Sequence, residues 1–600
     1  MKLTIDILDQ RISEAMRQAT GKPDCRAIVK PAADPKFGDY QANGVMALAK
    51  NLKTNPRELA AQVADNLDVS DICEKIEIAG PGFINLTLKT EYLSEMLSQI
   101  FADEQNLGIE KTAEPLNIVV DFSGPNIAKQ MHVGHLRSTI IGDCICRMLE
   151  FLGHNVIRQN HIGDWGLQMG MLLAIVENFT QKYAAQQSVD SKGKIYVPSY
   201  SKIEEIENLY KDANTRFTND DVFAQEARAF TYRLQNHDPI AITQWKTLKR
   251  VTLDACNVIY KDLNISLSDK DVRGESRYRG DLSNVVEELK EKNLADESDG
   301  AICVFPPGFK NKQGNDLPLI IRKSDGAFLY ATTDLAAIRY RVDKLNADRI
   351  IYVTDSRQAL HFDMVFAVAR MADWAPDDKV ELEHVTFGSV LGENAKPLKT
   401  RSGENVKLAE LLTEAVEKAK SVVEQKNPDL SHEEKQTIAN AVGIGAIKYA
   451  DYSNNRTSDY IFSFDKMLSL EGNTAPYMQY AYARIRSIQR KASDNEIDIK
   501  QELRGIGQVN LNEPHQIDLA KHLCRYGEAV NSAAADYRPN YLTTYLYELA
   551  QKFSGFYTCC PVIKADTQTR PSRLLLCELT ARIIGHGLSE ILGIEVVDKM

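Results

Sequence analysis

The sequence predicts a multidomain protein: an α/β core built on a parallel sheet, a helical insertion within that core, an α+β segment before it and an all-α segment after it. Three observations support this architecture. Residues 117–143 follow the order strand, turn, helix; residues from about 180 to 310 are mostly helical in pattern and highly charged; and the chain from Ser431 onward is nearly all helical in pattern. At 600 residues the chain is too long for one hydrophobic core, so two to four domains are expected.

Composition is that of an ordinary globular protein, with 26% charged residues and a net charge of −11. This charge argues against a protein that coats nucleic acid indiscriminately, although a local basic face would still allow RNA binding. No apolar run is long enough to predict a transmembrane helix, and the N-terminal residues lack the pattern of a secretory signal. The ten cysteines include no C-x-x-C pair, which favours reduced thiols over a zinc site. The sequence therefore predicts a cytoplasmic protein without membrane anchor or zinc.

Residues 1–110 predict a separate α+β segment. Amphipathic helical patterns are followed by a strand, a Gly-Pro-Gly turn and a second strand between Lys75 and Leu88. The Pro- and Gly-bounded loop from Phe37 to Gln41 is a candidate RNA-facing loop, but a small module of this kind could equally face another protein. The polar residues 103–114 predict a linker into the core.

The stretch around which the chain is organised begins with a buried strand over Asn117–Phe122, followed by a Gly- and Pro-containing turn and a helix from about His132. In a Rossmann-like core this arrangement directs backbone N–H groups and the positive end of a helix dipole at a phosphate. His132 and His135 are three residues apart and can face one ligand, while Gly134 allows close backbone approach. Lys129 adds a cation just upstream. The alternative is that these histidines only pack in the core or lie on the surface.

Further loops follow the later strands of the predicted core. The Gly-rich loop His161–Gly166 comes after a strand and is expected to form a pocket wall, although Trp165 could equally be a core residue. The charges of the helical insertion that follows are expected to lie mostly on a solvated face.

Beyond the insertion, Leu317–Arg322 resumes the strand pattern, and a helix begins near Thr332. Tyr330 and Asp334 share a face of that helix if it begins early enough. A buried carboxylate here needs a cation, and a substrate guanidinium would bind it bidentately. Alternatively, Asp334 only complements the helix dipole. Gln358 follows another predicted strand, Arg349–Val353.

The C-terminal segment carries tyrosines interleaved with arginines on one amphipathic helix. Tyr477, Tyr480, Arg484 and Arg486 are the candidates for RNA contact, since rings stack on unpaired bases and guanidinium groups hold phosphates. A tyrosine stripe at helical spacing can also be core, and the helix could serve both purposes.

The tetrapeptide His132-Val133-Gly134-His135 resembles the HIGH motif of class I aminoacyl-tRNA synthetases, and residues 123–143 are similar to the arginyl-tRNA synthetases in particular. The resemblance implies three domains: an N-terminal additional domain that contacts the tRNA elbow (1–110), a catalytic domain (111–455) and a helical anticodon-binding domain (456–600). No K-M-S-K-S motif is present, and the degenerate loop at about 392–403 takes its place.

The resemblance also implies an activity: formation of arginyl-adenylate from L-arginine and ATP, then transfer of the arginyl group to the 3′ end of tRNA(Arg). Magnesium is expected with ATP, and the protein is expected to be a monomer. The implied catalytic residues are His132, His135, Lys129, Lys396 and Lys399. The implied ATP-binding residues are His132, Gly134, His135, Lys129 and Lys399. The implied arginine-binding residues are Asn126, His135, Tyr330, Asp334 and Gln358, and the Asp334 carboxylate is expected to be unpaired until arginine binds.

Three alternatives remain open on the sequence. A small nucleotidylyltransferase also uses an H-x-G-H motif, but it would not need the flanking domains. A non-catalytic RNA-binding relative would be expected to have lost the histidines or Asp334. A class I synthetase for another amino acid is the nearest competitor.

Overall fold

The computed structural model describes residues 2–185, 201–399, 405–504 and 506–600, without the side chains of 180–185. These residues form two compact units. The first contains Met1–Ala113, Asp429–Gly445 and Leu468–Met600, and the second contains Glu114–Pro428 and Ala446–Met467. No helix of the described residues is long and apolar enough to cross a membrane. The sequence-based division into 1–110, 111–455 and 456–600 stays a prediction, since compactness alone does not fix domain boundaries.

The secondary structure is dominated by helices. In the described part of the chain they are α1 (Thr4–Thr20), α2 (Gly44–Leu52), α3 (Pro56–Asp65), α4 (Thr90–Ala102), α5 (Val133–Phe151), α6 (Leu167–Ala185), α7 (Ile203–Asn219), α8 (Asp221–Gln235), α9 (Pro239–Asp262), α10 (Leu282–Glu291), α11 (Tyr330–Asp343), α12 (Ala359–Met371), α13 (Leu408–Lys426), α14 (His432–Tyr452), α15 (Phe464–Met467), α16 (Ala475–Asp494), α17 (Ile499–Arg504), α18 (Pro514–Leu523), α19 (Tyr526–Ala535), α20 (Pro539–Cys559) and α21 (Arg570–His586). The strands are β1 (Val29–Pro31), β2 (Tyr40–Ala42), β3 (Cys73–Ala79), β4 (Phe83–Leu88), β5 (Asn117–Asp121), β6 (Asn155–Gln159), β7 (Ala295–Ser298), β8 (Ala301–Val304), β9 (Leu319–Arg322), β10 (Arg349–Tyr352), β11 (Glu381–His384), β12 (Val390–Leu391) and β13 (Tyr460–Ile461).

The second unit is built on a four-stranded parallel sheet in the order β11-β10-β5-β6. Ile118, Val119 and Val120 of β5 are fully buried, as expected for a strand covered on both faces. From β5 the chain winds to β6 on one side, and from β10 it winds to β11 on the other. The direction of winding therefore changes between β5 and β10, and the crevice at the carboxyl ends of these two strands is where such sheets bind ligands. The α/β core with a helical insertion is confirmed.

Helix α5 packs directly on the turn that follows β5. A Cβ atom at Gly142 would lie 2.3 Å from the ring of Phe122, which is itself buried. Only glycine permits this approach, so Gly142 sets how closely the helix that begins at the two histidines lies against the end of the central strand.

The residues around Leu317–Arg322 do not extend the parallel sheet. They form β9 in a separate three-stranded antiparallel sheet with β7 and β8. Two short strands therefore lie in the stretch that the charge pattern assigned to the helical insertion. Strands of four residues are too short to produce a clear alternation in the sequence.

The first unit joins the N-terminal α+β segment to the C-terminal helices. Tyr40 is buried and donates its hydroxyl hydrogen to Oε1 of Glu528 at 2.6 Å, and Lys521 lies 2.7 Å from Asp39. Two of the five residues of the predicted RNA-facing loop from Phe37 to Gln41 therefore face the helical bundle, and that prediction is wrong for these two side chains. The ring of Phe37, at the start of this loop, is exposed.

Gly142→Ala should destabilise the protein even though alanine is the better helix former. The added methyl overlaps the Phe122 ring, and such overpacking costs about 1–3 kcal/mol, more than the roughly 1 kcal/mol gained in helix propensity. Urea unfolding followed by circular dichroism measures the effect. Gly555→Ala in α20 is the control, because its Cβ would meet its nearest neighbour at an ordinary 3.5 Å. A Gly142→Ala variant as stable as this control would contradict the packing argument.

Candidate active site

The two histidines cap the N-terminus of α5 with their own ring nitrogens. The backbone N–H of Gly134 donates to Nδ1 of His132 at 3.0 Å, and the backbone N–H of His132 donates to Nδ1 of His135 at 3.1 Å. Since both Nδ1 atoms accept, each neutral ring carries its hydrogen on Nε2. A Cβ at Gly134 would lie 2.7 Å from the His132 ring, which explains the glycine between them. The turn thus presents two N–H donors beside a helix N-terminus.

Both rings are held in the neutral form. Burial lowers the pKa of His135 to about 3, and the neighbouring charges of His132 and Lys129 act in the same direction. Burial and the charge of Lys129 also lower the pKa of His132. At physiological pH the two imidazoles can therefore stabilise an anion by donating hydrogen bonds, without carrying a charge themselves.

The loop expected to replace the K-M-S-K-S motif belongs to a longer segment, residues 392–407, which we call the lysine loop. The side chains of Lys396 and Lys399 are exposed and make no hydrogen bond or ion pair within the described part of the chain. Arg401, another basic residue of this loop, lies with residues 400–404 outside the described residues. The two lysines that the sequence singled out are therefore free to reach a ligand.

The end of the lysine loop pairs with the histidine segment. The N–H of Val133 donates to the carbonyl of Val406, and the N–H of Leu408 donates to the carbonyl of Met131, each at 2.9 Å. These bonds place Lys407 directly opposite the first histidine, in an antiparallel bridge. The loop predicted from the sequence ended at residue 403, so the prediction did not include Lys407. Its position at the end of a basic, Gly-containing stretch was the available signal.

Helix α7 of the insertion lies against the residues just before the histidines. The ammonium group of Lys129 is 4.8 Å from the centre of the Tyr210 ring. Nε2 of Gln130 donates to Oε2 of Glu207 at 2.6 Å, and Nζ of Lys407 lies 3.8 Å from that same oxygen. The insertion therefore contacts both basic residues that flank the histidine turn.

Helix α11 begins at Tyr330, early enough for Tyr330 and Asp334 to lie one turn apart on one face. The expectation that Asp334 is unpaired is wrong: Nε2 of His361, in α12, lies 2.6 Å from its Oδ2. The imidazole orients the carboxylate, and Oδ1 makes no hydrogen bond or ion pair with the described residues. The internal arginine of this helix, Arg341, instead pairs with Asp121 at 2.6 Å. No arginine in the described residues is bonded to Asp334.

A second carboxyl group, which sequence reasoning missed, interacts electrostatically with Asp334. Burial raises the pKa of Glu275 to about 8, and the charges of Asp164 and Asp334 contribute to that shift. Partial desolvation, and then the neighbouring Glu275, raise the pKa of Tyr330. The backbone N–H of Glu275 donates to the carbonyl oxygen of Ile162 at 3.1 Å, in the loop that follows β6. It lies in a short 3-10 turn among charged residues, so only the three-dimensional clustering identifies it.

The remaining two predicted arginine contacts lie on loops at strand ends. Asn126 is exposed in the turn before α5, and its Oδ1 would lie 2.1 Å from a Cβ at Gly163, so the two loops touch. Gln358 is exposed at the end of the 3-10 turn Ser356–Gln358, which leads from β10 into α12. Asn126 is thereby joined to the loop that contacts Glu275, and Gln358 to the helix that carries His361.

Three of the four predicted RNA contacts lie on one face of α16 in the first unit. Tyr480 and Arg484 are exposed. The guanidinium of Arg484 lies 5.2 Å from the Tyr557 ring centre, and Tyr477 packs edge-on against Tyr547 at 5.5 Å. This surface, made of these five side chains, offers open aromatic faces beside a cation.

Arg486 is arranged differently from the other three. Its guanidinium group is already engaged within the protein. It donates a hydrogen bond to the Tyr482 hydroxyl at 3.0 Å and lies 3.2 Å from Oε2 of Glu578. Arg486 follows Tyr477 by nine residues, about two and a half turns of helix, so its side chain leaves the helix on the opposite side. The structure therefore groups three of the predicted RNA contacts and separates the fourth.

Three family models match the chain: "Arginyl tRNA synthetase N terminal domain" over residues 6–88, "tRNA synthetases class I (R), catalytic domain" over residues 96–464 and "DALR anticodon binding domain" over residues 478–600. Among curated relatives described as arginine–tRNA ligases, that of Hahella chejuensis is 49% identical and that of Laribacter hongkongensis 47% identical. The first alignment covers 99% of each chain, and the second covers 100% of each.

Solved structures agree with these matches. The crystal structure of arginyl-tRNA synthetase from Plasmodium falciparum has a TM-score of 0.84 and 31% sequence identity, and the match covers 100% of each chain. The arginyl-tRNA synthetase of Thermus thermophilus has a TM-score of 0.79 at 24% identity, again over 100% of each chain, which supports the fold alone.

His135→Asn should make the free energy of unfolding depend less on pH below 6.5. The pKa of His135 is about 3 in the folded protein and about 6.5 when unfolded, so between these values the unfolded chain binds an extra proton. The free energy of unfolding therefore falls as the pH drops from 6.5 towards 3, by about 1–2 kcal/mol at pH 5. Urea unfolding at pH 7.5 and pH 5 should show a larger loss for the wild type than for the variant. Equal losses would contradict the burial of a neutral ring.

Proposed function

We propose a division of catalytic labour for this chain, which belongs to the class I arginyl-tRNA synthetase family. The chain activates L-arginine with ATP to form arginyl-adenylate and pyrophosphate, and transfers the arginyl group to the 3′ end of tRNA(Arg). In the first step a carboxylate oxygen of arginine bonds to the α-phosphorus while the bond to the leaving pyrophosphate breaks. No protein nucleophile is needed, so the chain contributes positioning and electrostatic stabilisation.

The ATP side is formed by the histidine turn and its lysines. The Nε2–H groups of His132 and His135 donate to the oxygens of the α-phosphate as charge develops on them, and Gly134 lets the nucleotide approach the backbone. The leaving pyrophosphate is neutralised by cations that lie before the histidines or on the lysine loop: Lys129, Lys396, Lys399 and Lys407. The backbone pairing between the lysine loop and the histidine segment supports this grouping.

The arginine side is supported by one observation: two carboxyl groups, Asp334 and Glu275, repel each other electrostatically, and neither is bonded to an arginine within the described residues. A guanidinium presents five donors in a planar fork and can satisfy both. Tyr330 lies beside them and closes the side-chain pocket. Asn126 holds the amino-acid end of the substrate near His135, and Gln358 contributes from the carboxyl end of the neighbouring strand β10.

Magnesium fits this site as a companion of ATP. Within the described residues no group of three or more His, Cys, Asp or Glu side chains could hold a metal ion. Mg²⁺ prefers phosphate oxygens and water, so we expect it to be held by the triphosphate and to contribute charge neutralisation there.

The tRNA is bound by the first unit. Tyr477, Tyr480 and Arg484 supply stacking faces and a phosphate contact for the anticodon loop, and Arg486 supports the helix that presents them. The N-terminal segment contacts the elbow of the tRNA. We further propose that the chain acts as a cytoplasmic monomer, divided into functional segments 1–110, 111–455 and 456–600.

Asp334→Asn should raise the KM for arginine about 10- to 150-fold, because a hydrogen bond to a charged group contributes roughly 1.5–3 kcal/mol. The KM for ATP should stay within about twofold, since the histidine turn is untouched. Steady-state charging of tRNA(Arg) measures both constants. The control is Asp343→Asn, an exposed acid at the end of the same helix. Equal rises in both constants would refute the assignment of Asp334 to the substrate side chain.

Arg484→Ala should weaken tRNA binding without changing the KM for arginine. Loss of one phosphate contact lowers the slope of log Kd against log salt concentration by about 0.7–0.9. Filter binding of tRNA(Arg) from low to moderate salt measures that slope. A variant with the wild-type slope would exclude a phosphate contact at this position.

A further inference from the structure

Helix α9 of the insertion reaches the loop that follows β6. Nζ of Lys249 lies 2.6 Å from Oδ2 of Asp164, and Nε1 of Trp245 donates to the carbonyl oxygen of Asp164 at 2.8 Å. The Asp164 side chain has no exposed surface, so its charge requires the ammonium group beside it. Lys249 and Trp245, both on helix α9, therefore bond to the same residue of the core, Asp164.

Asp164 also fixes the turn that carries Glu275. The backbone N–H and the hydroxyl of Ser276 donate to its two carboxylate oxygens, at 2.9 and 2.8 Å. A Cβ at Gly274 would lie 2.4 Å from Asp164, so this turn rests directly on the carboxylate. Both carboxylate oxygens of Asp164 thus accept from the turn Gly274–Ser276, and one of them also contacts α9.

We propose that Lys249 is a positioning residue for arginine: by holding Asp164, it keeps the turn Gly274–Ser276 in the place where Glu275 faces the guanidinium together with Asp334. The inference rests on the proposed arginine pocket and extends it. Without the ammonium group, the buried Asp164 carboxylate must find water or a proton, and the turn resting on it shifts. A shift of a fraction of an ångström is enough to spoil a bidentate contact.

Helix α9 of the insertion does not touch the substrate in this arrangement, yet the affinity for arginine depends on it. The ATP side, which is built on the histidine turn, shares no residue with the cluster of Lys249, Asp164 and Ser276. Loss of the lysine should therefore separate the two substrates kinetically, which a general loss of folding would not do.

Lys249→Met removes the charge and keeps most of the chain length. In steady-state charging of tRNA(Arg), the KM for arginine should rise about tenfold or more, while kcat and the KM for ATP stay within about twofold. Trp245→Phe should raise the KM for arginine by a smaller factor. Lys246→Met is the matched control, because Lys246 is exposed on the same helix and should leave all constants unchanged.

Lys249→Arg keeps the charge, so its KM for arginine should be close to the wild-type value. If Lys249→Met does not fold, the single variants Lys249→Arg and Trp245→Phe provide the test. An unchanged KM for arginine, or parallel rises for arginine and ATP, would overturn the proposal. Asp334→Asn is measured in parallel. If it raises the KM for arginine and Lys249→Met does not, the positioning role fails while the pocket stands. If Asp334→Asn itself has no effect, the pocket assignment fails first.

Discussion

A protein that binds a guanidinium with carboxylates must keep its own arginines away from them. In the catalytic unit the buried arginines each have a carboxylate of their own: Arg341 lies 2.6 Å from Asp121, and Arg137 lies 2.9 Å from Asp451, with both pairs almost fully buried. Such pairs are costly to separate, because either partner alone would be an uncompensated buried charge. They cannot rearrange to capture Asp334, although Arg341 lies on the same helix.

The choice of histidine as the partner of Asp334 follows from the same constraint. A guanidinium partner would neutralise the carboxylate and occupy both oxygens, whereas His361 holds one oxygen and fixes the orientation of the group. Glu275 shows the complementary effect. Burial, and then the charges of Asp164 and Asp334, raise the pKa of Glu275, so its ionisation is unfavourable. A cation arriving in the proposed pocket would relieve the repulsion among these carboxylates, so such a pocket would select for positive charge.

The sequence was sufficient to predict the structure of a segment wherever the interactions that determine it are local. The strand, turn and helix around His132 follow from periodicity and turn chemistry, and the face shared by Tyr330 and Asp334 follows from helical spacing. Contacts between distant segments could not be predicted in this way. The partner of Asp334, the burial of Tyr40 against Glu528 and the role of Glu275 all depend on residues far away in the chain, for which one sequence contains no pairing information. The resemblance supplied the family, but not these partners.

The insertion is better understood as part of the active site than as a separate module. Its helix α7 contacts the basic residues around the histidine turn, and its helix α9 supports the loop beside the carboxyl pocket. These two helices also pack on each other. A class I core alone would leave both loops of its crevice without these supports, and loops of that kind open at low free-energy cost. The helical insertion therefore supplies the rigidity that a site based on positioning and electrostatics requires, and this accounts for its place between the two halves of the sheet.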